Sequence, residues 1–206
     1  MGELKRTVPA EFGTKGERRI EDRTKTTVYR PILFETAELS GFCLLRDLSA
    51  GGMMGVVYTT LAAAQPITIE FHPDLGVPGM IAWSSDERVG VRFDADIDVA
   101  HTIALLGKTH AEGWIKRAPR LAMACEGEAV TADRTLPFRL HDISQRGARL
   151  ELAGVRTGEE VSMRLAGLEP HKGLVRWVRD GNVGLNFLRP YGLEELARWA
   201  VSRQSR

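Results

Sequence analysis

The chain has 206 residues, 43% of them apolar and 27% charged, with a formal net charge of +1. That length suits one or two domains, each able to bury a core without metal or disulfide staples. The balanced charge excludes a strongly basic nucleic-acid coat and an acidic disordered tail, and no apolar run approaches the roughly 18 residues of a membrane span.

The N-terminus, MGELKRTVPAEFGTKGERR, is polar and has no apolar stretch of the kind that directs export. Residues 1–16 read as a basic leader. Six short segments come next: Thr27–Phe34, Phe42–Asp47, Met53–Tyr58, Pro66–Phe71, Gly79–Trp83 and Val89–Phe93. They are rich in Val, Ile, Leu and aromatics and are separated by Gly, Pro, Asp or Ser clusters, the pattern of antiparallel strands. Six strands on so short a stretch predict a small barrel or sandwich, in which closure removes the exposed edges. Asp96–Glu112 then carries Ile97, Ala100, Ile103, Ala104 and Leu106 near helical spacing and ends at Gly113. This helix is expected to pack on its own barrel and to link it to the second half of the chain.

The second half repeats the first. Asp47 to Gly52 reads DLSAGG, and Asp142 to Gly147, 95 residues later, reads DISQRG. GMIAWSSDERVGVRF, from Gly79 to Phe93, returns as GLVRWVRDGNVGLNF, from Gly173 to Phe187. Such a period is too long for a solenoid and suits a duplicated small domain. The expected division is one domain over residues 17–113 and another over 114–206. A closing helix is predicted over Pro190–Arg203, with Leu193, Leu196, Ala197 and Ala200 on one face and Glu194, Glu195 and Arg203 placed to suit its dipole.

Enzyme chemistry finds no foothold in this pattern. The five histidines and two cysteines, Cys43 and Cys125, have neither zinc spacing nor a disulfide framework. There is no Gly-Lys-Ser/Thr phosphate loop, and Ser49 and Ser144 stand after aspartates rather than in a nucleophile elbow. No cofactor and no metal are expected. Trp83 and Trp177 read as core aromatics of matching strands, with Trp83 near a ligand as the second reading, and the V-G-[VL]-x-F endings read as packing.

What remains is Arg18-Arg19-Ile-Glu-Asp-Arg23 ahead of the first strand, together with the Asp47–Gly52 turn. An arginine fork donates two parallel hydrogen bonds, which suits phosphate and the O6/N7 edge of guanine. Asp47 offers an acceptor for a guanine N1–H and amino group. Ser49 adds a hydroxyl, and Gly52 admits close backbone approach or a positive φ. Each feature alone has a plainer reading: a solvated basic leader, and a turn held by its own side chain.

Together, R-x-x-x-R, D-x-S-x-x-G, G-x-x-x-W and V-G-V-x-F on a six-strand pattern resemble the PilZ domain, over about residues 17–112 and again over about 115–204. The resemblance implies a mainly all-β chain of two six-stranded antiparallel β-barrels, each followed by an α-helix. It also implies a bacterial receptor for cyclic di-GMP. Arg19 and Arg23 would then grip guanines and phosphates with Arg18 assisting, Asp47 and Ser49 would hold the guanine, and Gly52 would keep the turn open. Ordering of the leader around the ligand would change the surface offered to a protein partner.

The second copy keeps Asp142, Ser144 and Gly147, but its leader reads Lys116-x-x-x-Arg120. Lysine is a point charge that does not replace a guanidinium fork, and Pro119 limits how the segment wraps. These residues are expected to form a weak second site or none, leaving that domain to dimerisation or partner contact. The leading expectation is therefore a cytoplasmic cyclic di-GMP receptor, not an enzyme, that binds no DNA or RNA. The alternative is a ligand-independent PilZ scaffold mediating protein–protein interaction.

Overall fold

The computed structural model describes residues 26–107 and 118–204. Six strands form the first unit: β1 (Thr26–Glu35), β2 (Ser40–Ser49), β3 (Gly52–Val56), β4 (Pro66–His72), β5 (Leu75–Ser85) and β6 (Arg88–Phe93), followed by α1 (Val99–Gly107). The second unit repeats them as β7 (Leu121–Val130), β8 (Thr135–Ser144), β9 (Gly147–Glu151), β10 (Glu160–Leu165), β11 (Leu168–Arg179) and β12 (Asn182–Phe187), followed by α2 (Leu193–Gln204). Each set closes into an antiparallel barrel, in the orders β1-β2-β3-β6-β5-β4 and β10-β11-β12-β9-β8-β7. The second order, read backwards, is the first with every element displaced by one repeat.

The expected strands all form. The fifth is longer than expected, starting at Leu75 rather than Gly79, because Pro78 sits within it opposite Thr68 while its carbonyl accepts the Asp94 N–H. The β5–β6 hairpin turns on Asp86 and Glu87, both at positive φ, and the β11–β12 hairpin on Asp180 and Gly181. Positive φ at both turn positions matches the right-handed twist of the strands.

Alternation along the strands fills the barrels. Ile32, Phe34, Cys43, Leu45, Leu48, Ile69, Ile81, Val89 and Val91 line the first core, and Leu140, Ile143, Leu150, Val161, Met163, Val183 and Leu185 the second. The first helix starts later than expected, at Val99, because the Asp98 carboxylate caps it by accepting the His101 N–H at 2.9 Å. Ile97, Val99, Ile103 and Leu106 lie against the first core, so α1 packs on its own barrel as expected. The remainder of the expected helix, 108–112, lies outside the described residues.

One departure from alternation joins the two units. Leu33 and Phe42 face each other across β1 and β2, point out of the first barrel, and are buried in the core cluster of the second. The α2 helix covers this face: it packs on β2 as well as β11, and the Gln204 side chain exchanges hydrogen bonds with the Ser40 backbone. Arg198 makes a two-pronged pair with Glu87 at 2.6 and 3.0 Å. The positions matching Leu33 and Phe42 in the second barrel are Glu128 and Pro137, both exposed. Only the first copy carries the apolar docking face.

Candidate functional site

The D-x-S-x-x-G segment is the β2–β3 hairpin. Ser49 pairs with Gly52 around Ala50 and Gly51, and the Ser49 hydroxyl donates to the Gly52 carbonyl at 3.0 Å. Ser144 does the same to Gly147 at 3.0 Å. The serine therefore closes its own turn, and its oxygen lone pairs are what remain for a ligand's N–H. The turn also anchors the chain beyond the barrel: the Gly51 and Ala50 carbonyls accept the Phe93 and Ile97 N–H groups, and in the second unit Arg146 and Gln145 accept those of Phe187 and Tyr191.

Gly52 does not adopt positive φ. It is glycine because β6 runs against it: a Cβ would collide with the Val91 carbonyl oxygen and lie 3.5 Å from the Arg92 Cα. Gly147 meets the Leu185 carbonyl in the same way.

Asp47 is turned outward by a β-bulge. The register slips between Leu45 and Asp47, so Leu45 and Leu48 both face the core while Arg46 and Asp47 between them do not. A second bulge between Ile81 and Trp83 acts likewise on β5. The two tryptophans are therefore not core residues, contrary to the sequence reading: Trp83 is 46% exposed and Trp177 43%. Each indole lies over the glycine paired with it, Gly90 or Gly184, where any Cβ would strike the ring. The glycine of V-G-[VL]-x-F is thus a seat for an indole, while Val89, Val91 and Phe93 supply the expected packing.

Pairing places these residues in rows on the outer face. In the first barrel one row runs Thr27–Asp47–Met54–Gly90–Trp83, and the next runs Ser49–Gly52–Arg92–Met80. Among the described residues, the Asp47 carboxylate accepts only the Thr27 hydroxyl, at 3.4 Å. A carboxylate held only by that hydroxyl among the described residues, the Ser49 oxygen, a cation and an apolar shelf ending in an indole thus share one face. Such a set can seat a planar purine and present an acceptor to its N–H edge. Arg92, exposed and beside the turn, was missed by sequence reasoning; its signal is its place, next to the Phe of V-G-V-x-F and opposite Gly52.

The corresponding rows of the second barrel are Ala122–Asp142–Arg149–Gly184–Trp177 and Ser144–Gly147–Asn186–Leu174. Here Asp142 is occupied: Arg120 Nη1 donates to one carboxylate oxygen at 2.7 Å and Arg149 Nε reaches the other at 2.9 Å. Of the leader residues singled out from the sequence, Arg18, Arg19, Arg23 and Lys116 lie outside the described residues, and Arg120 is placed on Asp142. Among the described residues no group of three His, Cys, Asp or Glu side chains could hold a metal, and no helix is long and apolar enough to cross a membrane.

Comparison with solved structures finds similar chains at low identity. The PlzA protein of Borreliella burgdorferi in complex with c-di-GMP is 9% identical, with 83% of this chain and 86% of that one covered and a TM-score of 0.38. YcgR from Escherichia coli in complex with c-di-GMP is 14% identical, with 86% of each chain covered and a TM-score of 0.35. The Bacillus subtilis inhibitor of motility MotI/DgrA is 12% identical, with 87% and 98% covered and a TM-score of 0.34. No curated protein matches. The family itself is carried by the model of the PilZ domain, which matches residues 17–108 and again residues 115–200. With both barrels accounted for in this way, the chain belongs to the PilZ domain family, as two copies in tandem.

Proposed function

We propose that this protein is a bacterial cyclic di-GMP receptor that binds through its first PilZ domain and passes the signal to a protein partner. The two domains are taken as residues 17–113 and 114–206. The observation that carries the reading is the outer face of the first barrel, where the Asp47 carboxylate, with no cationic partner among the described residues, the Ser49 oxygen and Arg92 adjoin the Met54–Gly90–Trp83 shelf. A guanine edge needs an acceptor for its N1–H and amino group, a purine face needs a flat apolar surface, and the phosphates need cations. Arg18, Arg19 and Arg23 precede β1, whose Thr27 stands beside Asp47 in the row. They are the forks that would close over the ligand, with Gly52 keeping β6 and the turn together beneath it.

Equilibrium dialysis of the full chain with labelled cyclic di-GMP tests this, using R19A, R23A and D47A variants and GTP as competitor. Each variant is expected to lose at least tenfold in affinity, because each removes charge-assisted or paired hydrogen bonds, and GTP should compete poorly. Binding unchanged in all three would refute the site. No binding by the wild type would refute the function in favour of a ligand-independent scaffold.

A further inference from the structure

The two barrels share the aspartate, glycine and tryptophan of the outer row and differ at its start, Thr27 against Ala122, and at its centre. The residue between the aspartate and the indole-bearing glycine is Met54 in the first barrel and Arg149 in the second. A methionine there brings no charge to the carboxylate of Asp47 and adds a soft apolar floor. The arginine instead reaches back along the row to Asp142, whose side chain is only 15% exposed, and forms an ion pair with it, Nε lying 2.9 Å from Oδ2. Arg120 takes the other oxygen at 2.7 Å, so each oxygen of Asp142 faces a guanidinium group. A guanine offering N1–H and an amino group needs that same pair of oxygens, and it would have to displace a charge-assisted donor with a neutral one.

We propose that Arg149 is the residue that closes the second barrel to cyclic di-GMP, by occupying the carboxylate of Asp142 and covering the shelf in front of Trp177. This rests on reading the first barrel's outer face as the cyclic di-GMP site. It places the barrier on the barrel's own outer face rather than only in the leader, where Lys116 replaces an arginine. The consequence is built-in asymmetry: the first copy answers the ligand, and the second, whose α2 covers the first copy's apolar face, receives the response.

The test is calorimetric titration of the full chain with cyclic di-GMP in a background that silences the first site and supplies the missing leader arginine, R19A/R23A/K116R. To this are added R149M, the residue the first barrel uses, or R149Q, which keeps a polar stem if methionine disturbs folding. D142A is then combined with each, and circular dichroism confirms that the barrels persist. The background alone should bind at least tenfold more weakly than wild type. R149M or R149Q should restore at least tenfold, and D142A should remove the gain. Unchanged or weaker binding in both Arg149 variants overturns the proposal, since the arginine is then a bystander or a ligand contact. Full binding by the background also overturns it. A wild type that binds, with the loss in R19A/R23A unrelieved by either Arg149 change, sinks this inference alone; a wild type that does not bind sinks the cyclic di-GMP reading and this inference with it.

Discussion

Replacing Gly52 with alanine separates two roles that its place in the motif leaves mixed. If the glycine serves only to let a ligand approach, G52A lowers affinity and leaves the barrel intact. The structure says otherwise. The added methyl meets the Val91 carbonyl oxygen, with Val91 C at 3.4 Å and Arg92 Cα at 3.5 Å behind it. Ordinary carbon–oxygen contact is about 3.3 Å, so the β6 backbone must retreat by roughly 1 Å. The obstacle is a paired strand and not the free end of a side chain, so the move strains the Gly52–Arg92 and Met53–Val91 pairs. Overpacking of this kind costs about 1–3 kcal/mol, and at 4–8 °C per kcal/mol for a small domain a 2 kcal/mol loss lowers Tm by about 8–16 °C. Scanning calorimetry of wild type, G52A, G147A and G107A measures it. G147A should behave like G52A, because Leu185 O stands where Val91 O does, and G107A, with nothing within 4 Å of the added methyl, should melt with the wild type. A G52A barrel melting within about 1 °C of wild type would refute the packing argument.

Phe42, buried between the barrels, should cost about 3–5 kcal/mol as alanine, and F42A should split a shared thermal transition into two; a single unshifted transition would mean that the barrels do not lean on each other. Glu87 sits at φ 65°, where glycine is relieved of about 1 kcal/mol of strain, so E87G should be more stable than E87A by about that amount in urea denaturation, although both lose the Arg198 pair. Burial pushes the Cys43 thiol up to about 12, against a weaker opposing backbone hydrogen bond from Val56; a thiol reagent at pH 8 should label Cys125 slowly and Cys43 only after unfolding. The Tyr191 phenol is raised by burial first, then by Glu195 and Glu169, and donates to the Glu169 carbonyl at 2.7 Å. Because the fold holds both groups protonated while the unfolded chain releases those protons near pH 8.5 and 10, their contribution is intact below those values and is lost progressively as pH rises from them to the raised folded-state values. Y191F should flatten the second barrel's decline above pH 10; an unchanged alkaline limb in chemical denaturation would contradict this.

The duplicated architecture was legible because its determinants are local. Turn residues and alternation are written in consecutive positions, and the 95-residue displacement carries them twice. What the sequence hid depends on register. Trp83 and Trp177 read as core aromatics because an indole between apolar residues keeps strand periodicity; a one-residue bulge that reverses the phase leaves no mark of its own in composition. Leu33 and Phe42 did leave a mark, since Ile32-Leu33-Phe34 and Phe42-Cys43-Leu44-Leu45 break alternation, as strands buried on both faces do. The partner that covers them, α2, lies more than 150 residues away. Asp47, Ser49 and Gly52 were found by motif, but the reason for each is structural: a bulge turns the first outward, a turn hydrogen bond occupies the second, and a neighbouring strand demands the third. Arg92 and Arg149 went unnoticed because nothing in a linear motif says which residues two strands away share its face. Aligning the halves would have shown Met54 against Arg149, while the significance of that exchange appears only once Asp142 is seen beside it.

The central claim meets its most direct test in a calorimetric titration of the unmodified full chain with cyclic di-GMP, run beside R23A. The account predicts saturable heat at one occupied barrel per chain, seen as one ligand or as a stacked pair, and its loss in the variant. Equal binding by R23A, or two independent equivalent sites per chain, would contradict the assignment to the first barrel. No heat from the wild type, with no bound label in dialysis, would contradict the receptor reading itself.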